Sequence, residues 1–310
     1  MEDKIFARLE KENFNSLFQD FFKSQIKSWE MLKKSYDNLE QTKIRVLHCR
    51  GFSVKIQFNP GRITNILTNL HNSNAEKDAC FLCMENTPKA QKAINWRDYL
   101  ILFNPAPIFK YHLTISSMVH RPQRIKDGIG TIFDLSRDLG DHWVLLYNGH
   151  RCGASNPHHL HFQAVPKGNL PVEQEITNKK YLKRIASKDN THLYTAKGLG
   201  RTILIIKGRD KKPIKDMFER IFIILREKGP DEDEPMMNML SFSSDDDLCL
   251  AIFPRSKHRP SIFYKKDDPI LISPGAFEMA GVIIVARERD FYRVDKNLVE
   301  KVYNEVSLND

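Results

Sequence analysis

The stretch Pro157-His158-His159-Leu160-His161-Phe162-Gln163 constrains this chain more than any other, because polar and apolar residues alternate through it. In an extended strand successive side chains point to opposite faces, so His159, His161 and Gln163 line one face while Leu160 and Phe162 enter a core. Two imidazoles and an amide then converge on one ligand. A small-residue turn, Gly153-Ala154-Ser155, comes just before, and its backbone N–H groups offer a phosphate close approach. On spacing alone the same histidines also suit a metal site or a polar loop.

With 310 residues, 41% of them hydrophobic, the chain has material for a substantial core, built as one large domain or two smaller ones. The formal net charge of +9 suits a polyanionic ligand, and charge by itself fits a nucleotide and a nucleic acid equally. No apolar run reaches the roughly 18 residues that span a bilayer. Met1-Glu2-Asp3-Lys4 opens no signal-peptide pattern, so a cytoplasmic protein with no membrane partner is expected. The odd set Cys49, Cys80, Cys83, Cys152 and Cys249 argues against a secreted disulfide framework and for thiol or metal use.

Phe14, Leu17, Phe18, Phe21, Phe22, Trp29, Leu32 and Tyr36 recur at helical spacing and predict one amphipathic helix over 12–39. Alternation over 52–58 predicts a half-buried strand, paired with 44–48 across Cys49-Arg50-Gly51. Further strands are expected at 99–103, 112–117, 143–147 and 159–165, then at 236–242, 248–253 and 281–287. Helices are expected from Pro213 to Gly229-Pro230 and over 293–306. The acidic run 231–234 reads as a solvated loop, and Lys197-Gly198-Leu199-Gly200-Arg201 as a turn before a strand. The sum is a mixed α+β sheet.

Cys80-Phe81-Leu82-Cys83 has the gap that lets two thiolates reach one tetrahedral ion, although such a pair also serves as a redox couple or lies simply buried. His120 and His159 are two further donors, and a two-Cys, two-His set makes a closed structural zinc site. A third segment, Leu102-Phe103-Asn104-Pro105-Ala106-Pro107 followed by Tyr111-His112-Leu113-Thr114-Ile115, reads as a strand, a proline-punctuated turn and another strand.

Together these segments resemble the histidine-triad superfamily, in the branch of galactose-1-phosphate uridylyltransferase and of the dinucleoside tetraphosphate and GDP-sugar phosphorylases. The Cys-x-Leu-Cys knuckle is Cys80–Cys83 here, and the Gly-x-Ser-Asn-Pro-His-x-His-x-Gln strand is Gly153–Gln163, with His158 inserted. The insertion permits an alignment in which His158 is the metal ligand; the face shared by His161 and Gln163 favours His159. The resemblance covers about residues 52–175. A weaker similarity continues through Asn238-Met239-Leu240, Phe253-Pro254-Arg255-Ser256 and Phe277–Gly281.

The resemblance implies a histidine-triad-like antiparallel sheet with flanking helices, extended by a second α/β half. It implies an N-terminal helical extension over 1–43, a catalytic domain with the zinc knuckle over 44–195 and a half completing the substrate cleft over 196–310. His161 would be the nucleophile, His159 the first triad histidine, and Gln163 the residue that separates transferases from the hydrolase branches, which carry His there. Asn104, Asn148, Gly153 and Ser155 would contact substrate, with Arg255 and Lys257 as candidate phosphate contacts. The implied activity is nucleotide transfer from a nucleotide or nucleotide sugar to phosphate or a sugar phosphate, with structural zinc and without nucleic acid. Rival readings are a nucleotide hydrolase and a zinc-stabilised binding module without turnover.

Overall fold

The aromatic periodicity at the N-terminus yields two helices, not one, in the computed structural model, which describes residues 2–9, 14–63, 79–228, 233–244 and 247–309. Strand β1 (Ile5–Arg8) is followed by α1 (Phe14–Ser28) and α2 (Glu30–Leu39). Trp29 between the helices is extended at φ −125° and ψ 91° and nearly buried. The break lets both helices grip one ring: Phe18, Phe21 and Phe22 of α1 and Tyr36 of α2 all pack on Phe103 at centroid separations of 4.9–6.4 Å. Each such aromatic pair adds roughly 0.5–1.5 kcal/mol beyond area burial.

The expected hairpin is present as β2 (Lys43–His48) and β3 (Ser53–Phe58), antiparallel from Lys43↔Phe58 to His48↔Ser53. Gly51 turns it at φ +91°, where a side chain would also run into the Gly198 carbonyl at 2.6 Å. A late strand, β14 (Val282–Val285), pairs parallel with β3 and completes a three-stranded sheet.

The main sheet is built from β1, β4 (Ala93–Trp96), β5 (Tyr99–Phe103), β6 (Leu113–Ser117), β7 (Trp143–Asn148), β8 (His161–Pro166), β9 (Leu182–Lys188), β10 (Thr191–Ala196), β11 (Leu204–Gly208), β12 (Met237–Ser244) and β13 (Asp247–Pro254). Its order is β1-β4-β5-β6-β8-β7-β12-β13-β11-β10-β9, and apart from the parallel β1–β4 pair all neighbours are antiparallel. The β7–β12 pair joins an N-terminal and a C-terminal half and sets Asn148 opposite Asn238.

Both faces of the sheet are covered, so strands such as β5 (YLILF) and β7 (WVLLYN) are buried along their whole length and read as near-continuous apolar runs. In β7, Leu145 and Tyr147 join one core with α1, α2, α3 (Ile129–Asp138) and α5 (Lys211–Lys228). Val144 and Leu146 join the other, with the three-stranded sheet, α4 (Pro171–Thr177), α6 (Ala276–Met279), α7 (Glu288–Arg293) and α8 (Lys296–Val306). The helix expected over 293–306 is thus shorter, starting where the Asp295 side chain accepts from the Leu298 N–H at 2.8 Å.

The expectation of a solvated acidic loop fails at Glu234, which is buried; residues 231 and 232 lie outside the described residues. Among the described residues no helix is long and apolar enough to cross a membrane.

Candidate functional site

Strand β8 begins at His161, so the expected strand over 159–165 is two residues shorter at its start. His159 lies in the bend before it and turns away to the cysteines. Its Nδ1 stands 3.2 Å from Cys80 Sγ and 3.5 Å from Cys83 Sγ, and Cys83 Sγ is 3.3 Å from His120 Nδ1. The four ligand atoms lie within 4.8 Å of one another, while His158 is exposed. A tetrahedral ion with metal–sulfur bonds near 2.3 Å and metal–nitrogen bonds near 2.0–2.1 Å sets sulfur and nitrogen about 3.6 Å apart, so the cluster fits a metal ion. The His159 Nε2–H donates to the Ser117 carbonyl at 2.7 Å, with Ser116 Oγ at 3.1 Å. That bond leaves the Nδ1 lone pair facing the thiols, as metal-ligating imidazoles require. All five cysteines are free thiols.

His161 is 3% exposed, and its Nδ1–H donates to the His159 carbonyl at 2.7 Å. A carbonyl only accepts, so Nδ1 carries the proton and Nε2 keeps its lone pair. Burial pushes the imidazole pKa down to about 4.

The way β8 meets β7 sets this imidazole where the two strands part. Ladder pairing runs from Trp143↔Pro166 to Leu146↔Gln163 and stops there. Beyond that point Gln123, fully buried, bridges the parting strands. Its Nε2 donates to the Asn148 carbonyl at 2.9 Å and the His161 carbonyl at 3.0 Å, while its Oε1 accepts from the His161 N–H at 2.8 Å. The side chain thus satisfies backbone groups that a continuing ladder would have paired.

Gln163 shares the His161 face of β8. Its Oε1 lies 2.8 Å from Nε2 of His112, whose Nδ1 accepts from the Ile108 N–H at 3.2 Å. Burial, with the nearby Arg62 guanidinium, lowers the His112 pKa to about 3. Arg62 itself donates to the Ala106 carbonyl at 2.8 Å, and burial lowers its pKa too.

Asn148 Oδ1 accepts from Asn238 Nδ2 at 2.8 Å and from the Ala276 N–H at 2.7 Å. Gly153 follows at φ +91°, so close to Gly275 that an added Cβ would lie 3.2 Å from its Cα. Ser155 is exposed. Asn104 is spent locally, its Nδ2 donating to Thr114 Oγ1 and its Oδ1 accepting from the Ala106 N–H.

Arg255 departs from its expected role as a phosphate contact. It is buried, and its guanidinium donates to the carbonyls of Val306, Pro274, Lys257 and His258 and to Asn238 Oδ1, which occupies all five N–H groups. Lys257 pairs with Glu305 at 3.0 Å. Gln123, Arg62 and the role of His112 were not expected from the sequence, although His112 lies in the Tyr111–Ile115 strand singled out there; Asn238 was named only within a segment of weaker similarity.

The family model of a domain of unknown function, DUF4922, matches residues 21–166. No curated protein matches the chain in sequence. In structure it is similar to the yeast Ap4A phosphorylase Apa2, with a TM-score of 0.58 at 13% identity over 90% of this chain and 94% of that one. The same enzyme in complex with Ap4A matches with a TM-score of 0.58 at 13% identity over 90% and 96% of the two chains. Its complex with AMP gives 0.57 at 14% over 91% and 96%. At such identity the likeness carries the fold alone, and this chain has the α+β fold expected from its sequence, like that of yeast Ap4A phosphorylase.

Proposed function

We propose that the protein is a nucleotidyltransferase working by double displacement, with His161 as the nucleophile. The observation that carries this reading is the His161 Nδ1–H bond to the His159 carbonyl, 2.7 Å long, because it aims a lone pair at substrate and stands ready to steady the positive charge that develops on the ring. In the first step Nε2 attacks the α-phosphorus of a nucleotide sugar or dinucleoside polyphosphate. A P–N bond forms, the P–O bond to the rest of the substrate breaks, and the leaving phosphate takes the electron pair. In the second step an oxygen of inorganic phosphate, or of a sugar phosphate, attacks the same phosphorus. The P–N bond then breaks and the imidazole is restored.

Gln163 supports transfer over hydrolysis, since an amide cannot act as a base toward water. Asn148, Gly153 and Ser155 would bind the phosphates, with the Arg62 guanidinium nearby. The structural likeness to a phosphorylase whose complexes contain AMP and Ap4A supports a nucleotide substrate and phosphate as the acceptor.

Cys80, Cys83, His120 and His159 would hold zinc, which when bound pins the start of β8 to the knuckle and supplies stability. The segment 44–195 would carry the nucleophile and the metal set, and 196–310 would complete the cleft through Asn238 and Arg255. Free thiols suit a reducing compartment such as the cytoplasm.

The experiment is product analysis on a panel of nucleotide sugars and dinucleoside polyphosphates with and without phosphate. Phosphate-dependent release of a nucleoside diphosphate is expected. Release of nucleoside monophosphate at a rate indifferent to phosphate would replace the proposal with hydrolysis.

A further inference from the structure

Two side-chain amides stand at this site, Gln163 and Asn148, and an amide can present either its oxygen or its nitrogen to a ligand. The structure removes that freedom at both. Ile108 donates to His112 Nδ1, so that nitrogen is unprotonated and the proton sits on Nε2. The His112 Nε2–H must therefore donate to Gln163 Oε1, which turns the Gln163 NH2 outward.

A second chain does the same for Asn148. The buried guanidinium of Arg255 donates to Asn238 Oδ1, Asn238 Nδ2 donates to Asn148 Oδ1, and the Ala276 N–H donates to that same oxygen. Neither the Gln163 nor the Asn148 amide nitrogen has a hydrogen-bond partner among the described residues.

We infer that His112 and the Arg255–Asn238 pair are positioning residues that lock Gln163 and Asn148 as hydrogen-bond donors, making the site a donor-lined receptor for phosphoryl oxygens. The inference rests on the nucleotide reading above and assigns Arg255 an indirect part in it. The guanidinium stays buried and polarises two amides in series toward the anion, and neither positioning group touches the ligand. A flipped amide would set a carbonyl oxygen against a phosphoryl oxygen.

The test uses the full chain with its metal and the monophosphates AMP, GMP, CMP and UMP, each compared with its own nucleoside. The ratio of the two affinities measures what the site gives the phosphate. His112→Leu and Asn238→Leu are each expected to lower that ratio by about ten- to a hundredfold, the size of one hydrogen bond to a charged group. If the positioning residues act only through the amides, His112→Leu has no further effect in a Gln163→Ala background, and Asn238→Leu none in Asn148→Ala.

Losses that simply add in the double variants would overturn the inference while leaving the nucleotide site intact. A wild-type protein that prefers no monophosphate over its nucleoside would overturn the nucleotide reading and the inference with it. Should the variants fail to fold, long-range 15N–1H spectra of the wild type decide the point at His112. A neutral Nε2–H tautomer supports the inference and an Nδ1–H tautomer overturns it.

Discussion

Glu234 should make the fold less stable as pH rises, and Glu234→Gln should abolish the effect. The carboxylate is buried, accepting from the Ile125 N–H at 2.5 Å and facing the Tyr147 hydroxyl at 2.7 Å. That hydroxyl also lies 3.2 Å from the Gln123 carbonyl, and its single proton cannot serve both oxygens. A protonated Glu234 resolves the conflict, giving its own proton to Tyr147 Oη while Tyr147 donates to Gln123. Burial, opposed by the Tyr147 and Ile125 hydrogen bonds, raises the carboxyl pKa from 4.5 to about 7.

Because the folded-state value is the higher one, the folded protein holds a proton that the unfolded chain has released. The contribution is fully present below about pH 4.5 and is lost as pH rises through about 7. Between pH 5 and pH 8 it amounts to about 2.5 kcal/mol. A glutamine reproduces the protonated arrangement, its oxygen accepting from Ile125 and its NH2 donating to Tyr147. Urea unfolding of both proteins at pH 5, 6, 7 and 8 gives the difference directly, with other titrating groups cancelling. The variant should gain about 2.5 kcal/mol on wild type across that range; a difference that does not change with pH would refute the argument.

Three further outcomes follow from the site. Cys83→Ser should lower bound zinc well below one per chain and lower the melting temperature, as elemental analysis and calorimetry will read; stoichiometric zinc in the variant would exclude this ligand set. Gln123→Ala removes three buried hydrogen bonds, each worth about 1 kcal/mol, and should destabilise by about 3 kcal/mol in urea unfolding, whereas a loss under about 0.5 kcal/mol would mean the bridge contributes little. Gln163→His should raise the ratio of hydrolysis to transfer measured from one substrate, and an unchanged ratio would remove the argument from this position.

What the sequence disclosed was local. The Cys80-x-x-Cys83 gap and the His161-x-Gln163 alternation span a few residues each, and a single pattern states each one's geometry. The expected hairpin and central strands are there for the same reason. Strand β9 did not register because an edge strand bearing Lys183, Arg184 and Lys188 has no apolar alternation to read, the very feature that blunts its edge. The break at Trp29 comes from a tertiary demand, the need of two helices to meet Phe103.

Residues that hold the site in shape were hidden more deeply, since their meaning lies in partners far along the chain. His112 acts on Gln163 across 51 positions and Gln123 on His161 across 38. Asn238 reaches Asn148 across 90. Glu234 sits at the end of an acidic run whose composition reads as solvated, and only the approach of Tyr147 and Ile125 buries it.

The central claim, a covalent nucleotide on His161, is tested most directly by trapping it. The protein is incubated with a substrate labelled at the α-phosphate in the absence of acceptor, then denatured and its peptides sequenced by mass spectrometry. Label that is acid-labile and alkali-stable, located on His161 and lost in a folded His161→Asn protein along with turnover, is the predicted result. A His161→Asn protein that turns over at the wild-type rate, or label on another residue, would contradict the account.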